Sequence, residues 1–407
     1  MNSRDALAWL YQSLDFGIKL GLDNTRRLLD ALGIEPASEK CRIVHVAGTN
    51  GKGSVCAFTN RILTDAGLRV GLFTSPHLVN YRERIRVADE LISDEGVAEG
   101  LTKIRDLSDE WENQPTFFEI TLALAMWHFQ EQACEVIILE TGMGGRFDAT
   151  NALSSTVSVI TSIGLDHQKW LGDTITEIAG EKAGIIKPDT PVIIGDLVPE
   201  AREVVGRAAI KCGVPCVEVH PLPEGWQPGL AGRHQYENAA LAVEAACRVA
   251  GDQLTREGIE KSVAETKWPG RFEKRKAGRW IVDGAHNVAA AEALTEAWRG
   301  EFGDTRALVF FSGVADKDLC GIARALAPIA EEFHLVKMDA PRAASFDELE
   351  QAVAGLHPGP FPRYDSVSEA VSTADMMSGP ALWTGSLFFI GELTGILDSE
   401  PSELISQ

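Results

Sequence analysis

Positive charge is scarce in this chain of 407 residues: 38 lysines and arginines stand against 59 aspartates and glutamates, a formal net charge of -21. A surface that negative repels phosphate backbones and anionic lipids, so neither nucleic acid nor a membrane surface is expected as a partner. Any phosphate the protein handles must then be held by a local nest of donors. Cysteine is sparse and odd in number, with seven residues dispersed at 41, 56, 134, 212, 216, 247 and 320. That excludes a disulfide framework; Cys212 and Cys216 are spaced too loosely for a zinc knuckle and have no second pair. No apolar run approaches the ~18 residues of a membrane span. The richest, from Ile120 to Trp127, contains Thr121. The N-terminus shows no signal-type apolar stretch. A hydrophobic fraction of 45% with 24% charged residues excludes disordered and fibrous classes. A reduced, soluble, cytoplasmic enzyme is the expectation.

The length suggests two or three domains, with no short-period repeat and no low-complexity segment. Short apolar runs alternate with helical patterns. Strands are expected at 41–47, 69–74, 135–140 and 157–161, and helices at 54–66 and 120–130. Past a charged stretch, Glu273-Lys274-Arg275-Lys276, the alternation restarts with strands at 280–282, 307–311, 332–337 and 381–383 and a helix at 288–298. The pattern predicts an α/β fold: a large P-loop ATPase-type domain with a mostly parallel sheet over residues 1–275, and a smaller Rossmann-like α/β domain over 276–407. Ligands in such sheets sit at the carboxyl ends of the strands.

Directly after the first strong strand comes Gly48-Thr49-Asn50-Gly51-Lys52-Gly53-Ser54, then a helix. Three glycines let backbone N–H groups turn inward, and the helix adds its positive end. Lys52 offers a charge for the β- and γ-phosphates and Ser54 an oxygen for Mg²⁺. The spacing departs from the general G-x-x-x-x-G-K-[ST] form, since Gly48 lies closer to Gly51 and Gly53 separates Lys52 from Ser54. The structural alternative is a plain glycine-rich turn.

Three further strands end in polar groups: Ser75 after 69–74, Glu140 closing 135–140 ahead of a glycine-rich loop, and His167 after 157–161. Ser75 alone could be a cap and His167 a satisfied structural residue. Glu140 is costly to bury unless paired or metal-bound. Together, beside a phosphate loop, the three point to Mg²⁺ and catalysis. Lys182, in a helix, reads by itself as a surface lysine.

These residues carry a resemblance. GTNGKGS, TSPHL, RERIRV, TFFE, LETGMGGRFDATN, LDHQKWLG, EKAGIIK, HQYENAA, PGRFE, VDGAHN, ADKD, PRAAS and TGSL, in that order from about Leu20 to Gly391, resemble the folylpolyglutamate synthase/dihydrofolate synthase family of the Mur-type amide ligases. The resemblance implies that ATP phosphorylates a folate-type carboxylate and that L-glutamate attacks the acyl phosphate. Dihydropteroate would give dihydrofolate, and reduced folates would gain a γ-linked glutamate. It implies ATP contacts at Thr49, Asn50, Gly51, Lys52, Gly53, Ser54, Asn238, Arg271 and Asp283. It implies two Mg²⁺ ions on Ser75, Glu140, His167 and a CO₂-derived carbamate of Lys182, with Lys52, His167 and Lys182 catalytic. The pterin would be lined by Ile18, Leu20, Thr116, Phe118, Asp148 and Ala149, and glutamate would dock near His286 and Ser386. The partners are then small molecules only, and a monomer is expected. Met143 stands where leucine is usual and Val288 where proline is common; neither touches the chemistry. RERIRV is expected to form a loop over the phosphate site.

A monofunctional folylpolyglutamate synthase is the alternative within the family. Another Mur-type ligase acting on a peptidoglycan nucleotide would need a further domain before the phosphate loop, where forty residues precede Cys41. A GTPase switch would want Asn-Lys-x-Asp; Ala315-Asp316-Lys317-Asp318 lacks the Asn. A binding module without catalysis leaves the loop and the metal residues unexplained.

Overall fold

The structure, a computed structural model, describes residues 1–17, 21–34, 41–340 and 342–400. Two compact units divide the chain. The first is Met1–Ser75, Arg82–Gly229 and Tyr236–Thr266; the second is Pro76–Tyr81, Leu230–Gln235 and everything from Lys267.

The first unit is built on eight strands: β1 (Arg42–Ala47), β2 (Val70–Phe73), β3 (Ile85–Val87), β4 (Glu90–Leu91), β5 (Val136–Glu140), β6 (Val157–Ile160), β7 (Val192–Ile194) and β8 (Cys216–Glu218). Their order is β4-β3-β2-β5-β1-β6-β7-β8. The pairs from β2 to β8 are parallel, and β3 and β4 turn back antiparallel at one edge. β1, β5, β6 and β7 are near-continuous apolar runs because both faces of a parallel sheet are covered by helices. β8, at the other edge, is half exposed. RERIRV is therefore not a loop over the phosphate site: Ile85–Val87 hydrogen-bonds to β2, and Arg84, at the end of a 3₁₀ turn, is fully buried with its guanidinium 5.2 Å from the Phe117 ring.

β5 and β6 flank β1, while the chain reaches β2 before returning to β5. This reversal of strand order makes the carboxyl end of β1 the crevice of the sheet. The helix Lys52–Asp65 leaves from that point. Helix Phe117–Glu131 starts at a reciprocal capping box between Thr116 and Glu119. Helix Ile175–Lys182 packs Ile178 and Ala179 into a cluster with Ile160, Ile185 and Ile194, which fixes where its last residue points.

The second unit carries β9 (Glu273–Arg275), β10 (Trp280–Val282), β11 (Ala307–Phe311), β12 (Ala330–Val336), β13 (Arg363–Tyr364) and β14 (Ala381–Thr384) in the order β13-β12-β11-β14-β10-β9. All pairs are parallel except β9 with β10. The charged stretch at 273–276 thus begins as a strand of this sheet. One face buries Trp298, Phe311 and Phe333; the other buries Trp280, Phe310 and Trp383. The seven cysteines are free. Among the described residues no helix is long and apolar enough to cross a membrane.

Candidate active site

The loop after β1 is locked by the segment after β6. The Thr49 amide donates to Ser162 O at 2.7 Å. Ser162 Oγ accepts from the Asn50 amide at 3.0 Å and donates to Asn50 O at 3.1 Å. Thr161 Oγ1 donates to the same carbonyl at 2.6 Å. Thr49 Oγ1 donates to Gly164 O at 3.2 Å and accepts from its amide at 3.1 Å. Two glycines are obligatory here. A Cβ on Gly48 would lie 1.8 Å from Thr161 Oγ1, and Gly51, at φ +86°, would place one 2.4 Å from Asn238 Oδ1. The Thr49 and Asn50 amides are thereby engaged inside the protein. The helix start from Lys52 to Ser54 leaves its own amides without an intrahelical acceptor. Thr161 and Ser162 escaped the sequence reading; their signal was two hydroxyl residues directly after an apolar strand.

Lys52 Nζ donates to Gly48 O at 3.1 Å and Thr49 O at 3.3 Å. Lys182, the last residue of its helix, is 4% exposed and donates to the same Gly48 O at 2.8 Å. It is not the surface lysine its local sequence suggests. Burial first, then the Lys52 charge, push its amine down to about 7, against the pull of Asp166 and Asp148.

Glu140 ends β5 at the level of Val46 on β1 and is buried. Its Oε2 accepts the Ser75 amide at 3.1 Å, so the expected metal residues of β2 and β5 stand side by side. Cys56, one turn into the helix, is held well above its ordinary value by burial and by the Glu140 charge, with Lys52 opposing. Glu140 and Lys52 therefore both lie within electrostatic reach of that thiol. His167 stands at φ +51°, heading the short helix Gln168–Leu171, its ring exposed and its amide on Asp166 Oδ1 at 2.8 Å.

Do these residues suit Mg²⁺? Ser54 Oγ is buried and has no hydrogen-bond partner, an orphaned oxygen in the first turn above the loop. Glu140 supplies a buried carboxylate. Among the described residues no three His, Cys, Asp or Glu side chains form a ready metal cage; a magnesium ion held by one or two carboxylates plus substrate phosphates needs none. The donor set fits.

On the expected pterin side, Phe118 is half-buried, its ring 5.6 Å from Phe73 and so placed that a Cβ on Gly142 would lie 2.7 Å from it. Thr116 Oγ1 donates to Glu119 Oε2 at 2.8 Å, while Thr25 Oγ1 donates to Oε1 at 3.2 Å. Asp148 accepts from the Met143 amide at 2.9 Å, the Thr150 amide at 3.0 Å and the Thr150 hydroxyl. Burial raises its carboxyl against those bonds. Ala149 is buried beside it. Ile18 and Leu20 lie outside the described residues.

In the second unit Asp283 and His286 follow β10, Ser386 follows β14, and Arg271 precedes β9. Asp283 accepts from the Phe272 amide at 2.8 Å and the Ala285 amide at 2.9 Å. Burial raises its carboxyl, with the Arg271 charge foremost in opposing. Arg271 Nη1 lies against Gly284, where a Cβ would be 2.9 Å away. His286 Nδ1 sits 3.0 Å from Gly284 O. Ser386 is buried, its hydroxyl capping helix Leu387–Asp398 by accepting the Phe388 amide at 3.2 Å.

A phosphate loop on a doubly wound sheet, followed by a second α/β unit, defines a Mur-type ligase. The Mur ligase middle domain matches residues 46–196, and the Mur ligase glutamate ligase domain matches 270–383. The dihydrofolate synthase/folylpolyglutamate synthase of Bacillus subtilis is 36% identical over 96% of this chain and 98% of its own; that of Escherichia coli is 32% identical over 95% and 93%. Among solved structures, E. coli FolC in complex with DHPP and ADP superposes with a TM-score of 0.87 at 30% identity, covering 97% of this chain and 98% of that one. Mycobacterium tuberculosis folylpolyglutamate synthase complexed with ADP and AMPPCP gives 0.87 at 30%, covering 98% and 100%. The chain belongs to the dihydrofolate synthase/folylpolyglutamate synthase family. It is an enzyme, an ATP-dependent ligase that joins glutamate to folates.

Proposed function

We infer that this enzyme is bifunctional, joining L-glutamate to dihydropteroate and to the γ-carboxyl of reduced folates. A carboxylate oxygen of the acceptor attacks the γ-phosphorus and ADP leaves. The glutamate amine then attacks the acyl carbon, loses a proton, and inorganic phosphate departs with the C–O bond electrons. The observation that carries this reading is the convergence of Lys52 and Lys182 on Gly48 O in the loop after β1, with the Ser75–Glu140 pair on the adjacent strands. Lys52 there is a cation beside a glycine loop and a helix start, and an ATP phosphate chain supplies the anion that such a group calls for.

The amides of the helix start and Lys52 bind the phosphates; Asn50 and Asn238 flank Gly51, while Thr49 braces the loop. Ser54, Ser75, Glu140 and His167 would hold Mg²⁺, which when bound offsets charge on the transferring phosphoryl group. Lys182 suits a carbamate: an amine pushed down to about 7 is substantially neutral at physiological pH. The lone pair of the neutral amine adds to CO₂, one proton leaves, and the neutral group becomes an anion able to hold a second metal. Phe118 offers a flat face to the pterin, with Thr116, Ala149 and Asp148 around it. The resemblance adds Arg271 and Asp283 for nucleotide and His286 and Ser386 for glutamate. The Ser386 hydroxyl accepts the Phe388 amide and keeps its own proton to donate. The reading places the enzyme in the cytoplasm as a monomer with small-molecule partners.

The test is phosphate release with ATP, Mg²⁺ and glutamate, offering dihydropteroate and tetrahydrofolate separately. Release with both is expected. Release with tetrahydrofolate alone would make the enzyme monofunctional, and release with neither would refute the assignment.

A further inference from the structure

Behind Asp148 runs a chain of buried polar groups that no step above uses. His45, in the middle of β1, is wholly buried, and its Nε2 lies 2.8 Å from Thr150 Oγ1. Thr150, also wholly buried, sits in the 3₁₀ turn Ala149–Ala152 and directs both its amide and its hydroxyl to Asp148 Oδ1. The Met143 amide holds Oδ2 at 2.9 Å.

Proton counting sets the direction of the chain. A hydroxyl has one proton. An ionised carboxylate only accepts, so the Thr150 proton goes to Asp148. Thr150 Oγ1 must then accept from His45, which requires the Nε2–H tautomer. His45 Nδ1 is left as a bare lone pair, and it is indeed buried with no partner. Burial, with the Lys187 charge adding, keeps the ring neutral by pushing its titration down to about 3. A cationic ring would place a second N–H where nothing accepts it.

We propose that His45 and Thr150 are positioning residues: the relay His45 Nε2–H to Thr150 O–H to Asp148 Oδ1 orients that carboxylate as the acceptor for the N–H edge of the pterin. The proposal rests on the reading of Asp148 as a pterin contact. The three groups come from two separate pieces of chain, His45 from a central strand and Asp148 and Thr150 from the turn that follows its neighbour β5. A serviceable core at these positions could have been apolar at lower desolvation cost. A half-satisfied polar chain leading to one substrate residue is instead a device for aiming it.

The experiment has two parts. In the wild-type enzyme, nitrogen NMR of labelled histidine should show His45 with Nε2 protonated and Nδ1 bare from pH 5.5 to 8, about the range over which an ordinary histidine titrates. An Nδ1–H tautomer, or a ring that titrates in that range, overturns the relay. Kinetically, Thr150→Val should raise the KM for dihydropteroate about tenfold, the order expected for losing a hydrogen bond to a charged group, and His45→Leu, which removes a bond between neutral groups, about threefold. The KM for ATP should stay within about twofold. Thr150→Ser, which restores the hydroxyl, should return the value toward wild type, an effect packing alone does not produce. Asp148→Asn separates the two layers. If it raises the dihydropteroate KM while Thr150→Val and His45→Leu do not, the relay is wrong and the pterin reading stands. If it changes nothing, the pterin reading falls and the relay with it.

Discussion

Lys52 and Lys182 donate to a single acceptor, the carbonyl of Gly48, at 3.1 and 2.8 Å. Burial, and then the repulsion between the two groups, make Lys182 yield its proton more readily than an ordinary lysine. The consequences can be measured.

Replacing Lys182 should abolish ligation. Lys182→Ala is expected to lower kcat at least about a hundredfold, the scale of losing a charged group that acts in the transition state. Lys182→Glu, which restores an anion, should recover part of the rate. Full activity in the alanine variant would remove the carbamate from the account.

The same lysine makes a pH signature in stability. Its folded-state value, about 7, lies below the ordinary lysine value of 10.5. Between the two the unfolded chain binds more protons, so wild-type stability rises with pH across that window. Below about 7 both states are protonated and the cost of burying the cation is felt in full. Lys182→Met removes this dependence. In CO₂-free buffer its advantage over wild type in urea unfolding should be largest below pH 7 and shrink above it; a constant difference would contradict the depressed amine.

Gly51→Ala should cripple nucleotide binding. The residue sits at φ +86°, and the new methyl would meet Asn238 Oδ1 at 2.4 Å. The left-handed backbone costs about 1–2 kcal/mol before the collision is counted. Calorimetric titration with ADP should show affinity down at least about tenfold. Adding Asn238→Ala should relieve the collision but not the backbone strain.

Glu140→Gln keeps the shape of the side chain and removes its charge. Nucleotide binding titrated against Mg²⁺ should need at least about tenfold more metal, because a neutral amide oxygen is a poor ligand for a hard cation. Binding measured in EDTA should change little.

In the second unit, Phe310 stacks between Trp383, at 4.1 Å, and His334, at 4.6 Å, and is fully buried. Phe310→Ala should cost about 3–5 kcal/mol, read from chemical unfolding.

Much of this was legible from the order of residues. The runs RIVHVA, VIILE and VSVI are too uniformly apolar for anything but strands covered on both faces, and each was placed within a residue or so. The glycine loop after the first of them, and the carboxylate closing the second, announce phosphate and metal because glycine spacing and a charge ending an apolar strand are local facts. Missed were β4, β7, β8, β9 and β13, two or three residues each, too short to show a pattern before the neighbour they pair with is in place. RERIRV misled for the same reason: its arginines look like a surface loop until β2 supplies a partner strand.

Sequence alone determined the chemistry on offer: which side chains exist, and that a loop of three glycines and a lysine opens a helix after an apolar strand. Tertiary structure decided which of those side chains act together. Lys182 lies 134 residues from Gly48 and Thr150 lies 105 from His45, and a hydrogen bond reaches about 3 Å whatever the separation along the chain. Only the closing of β5 and β6 around β1 brings such groups within that distance and removes the water that would otherwise keep Lys182 an ordinary lysine.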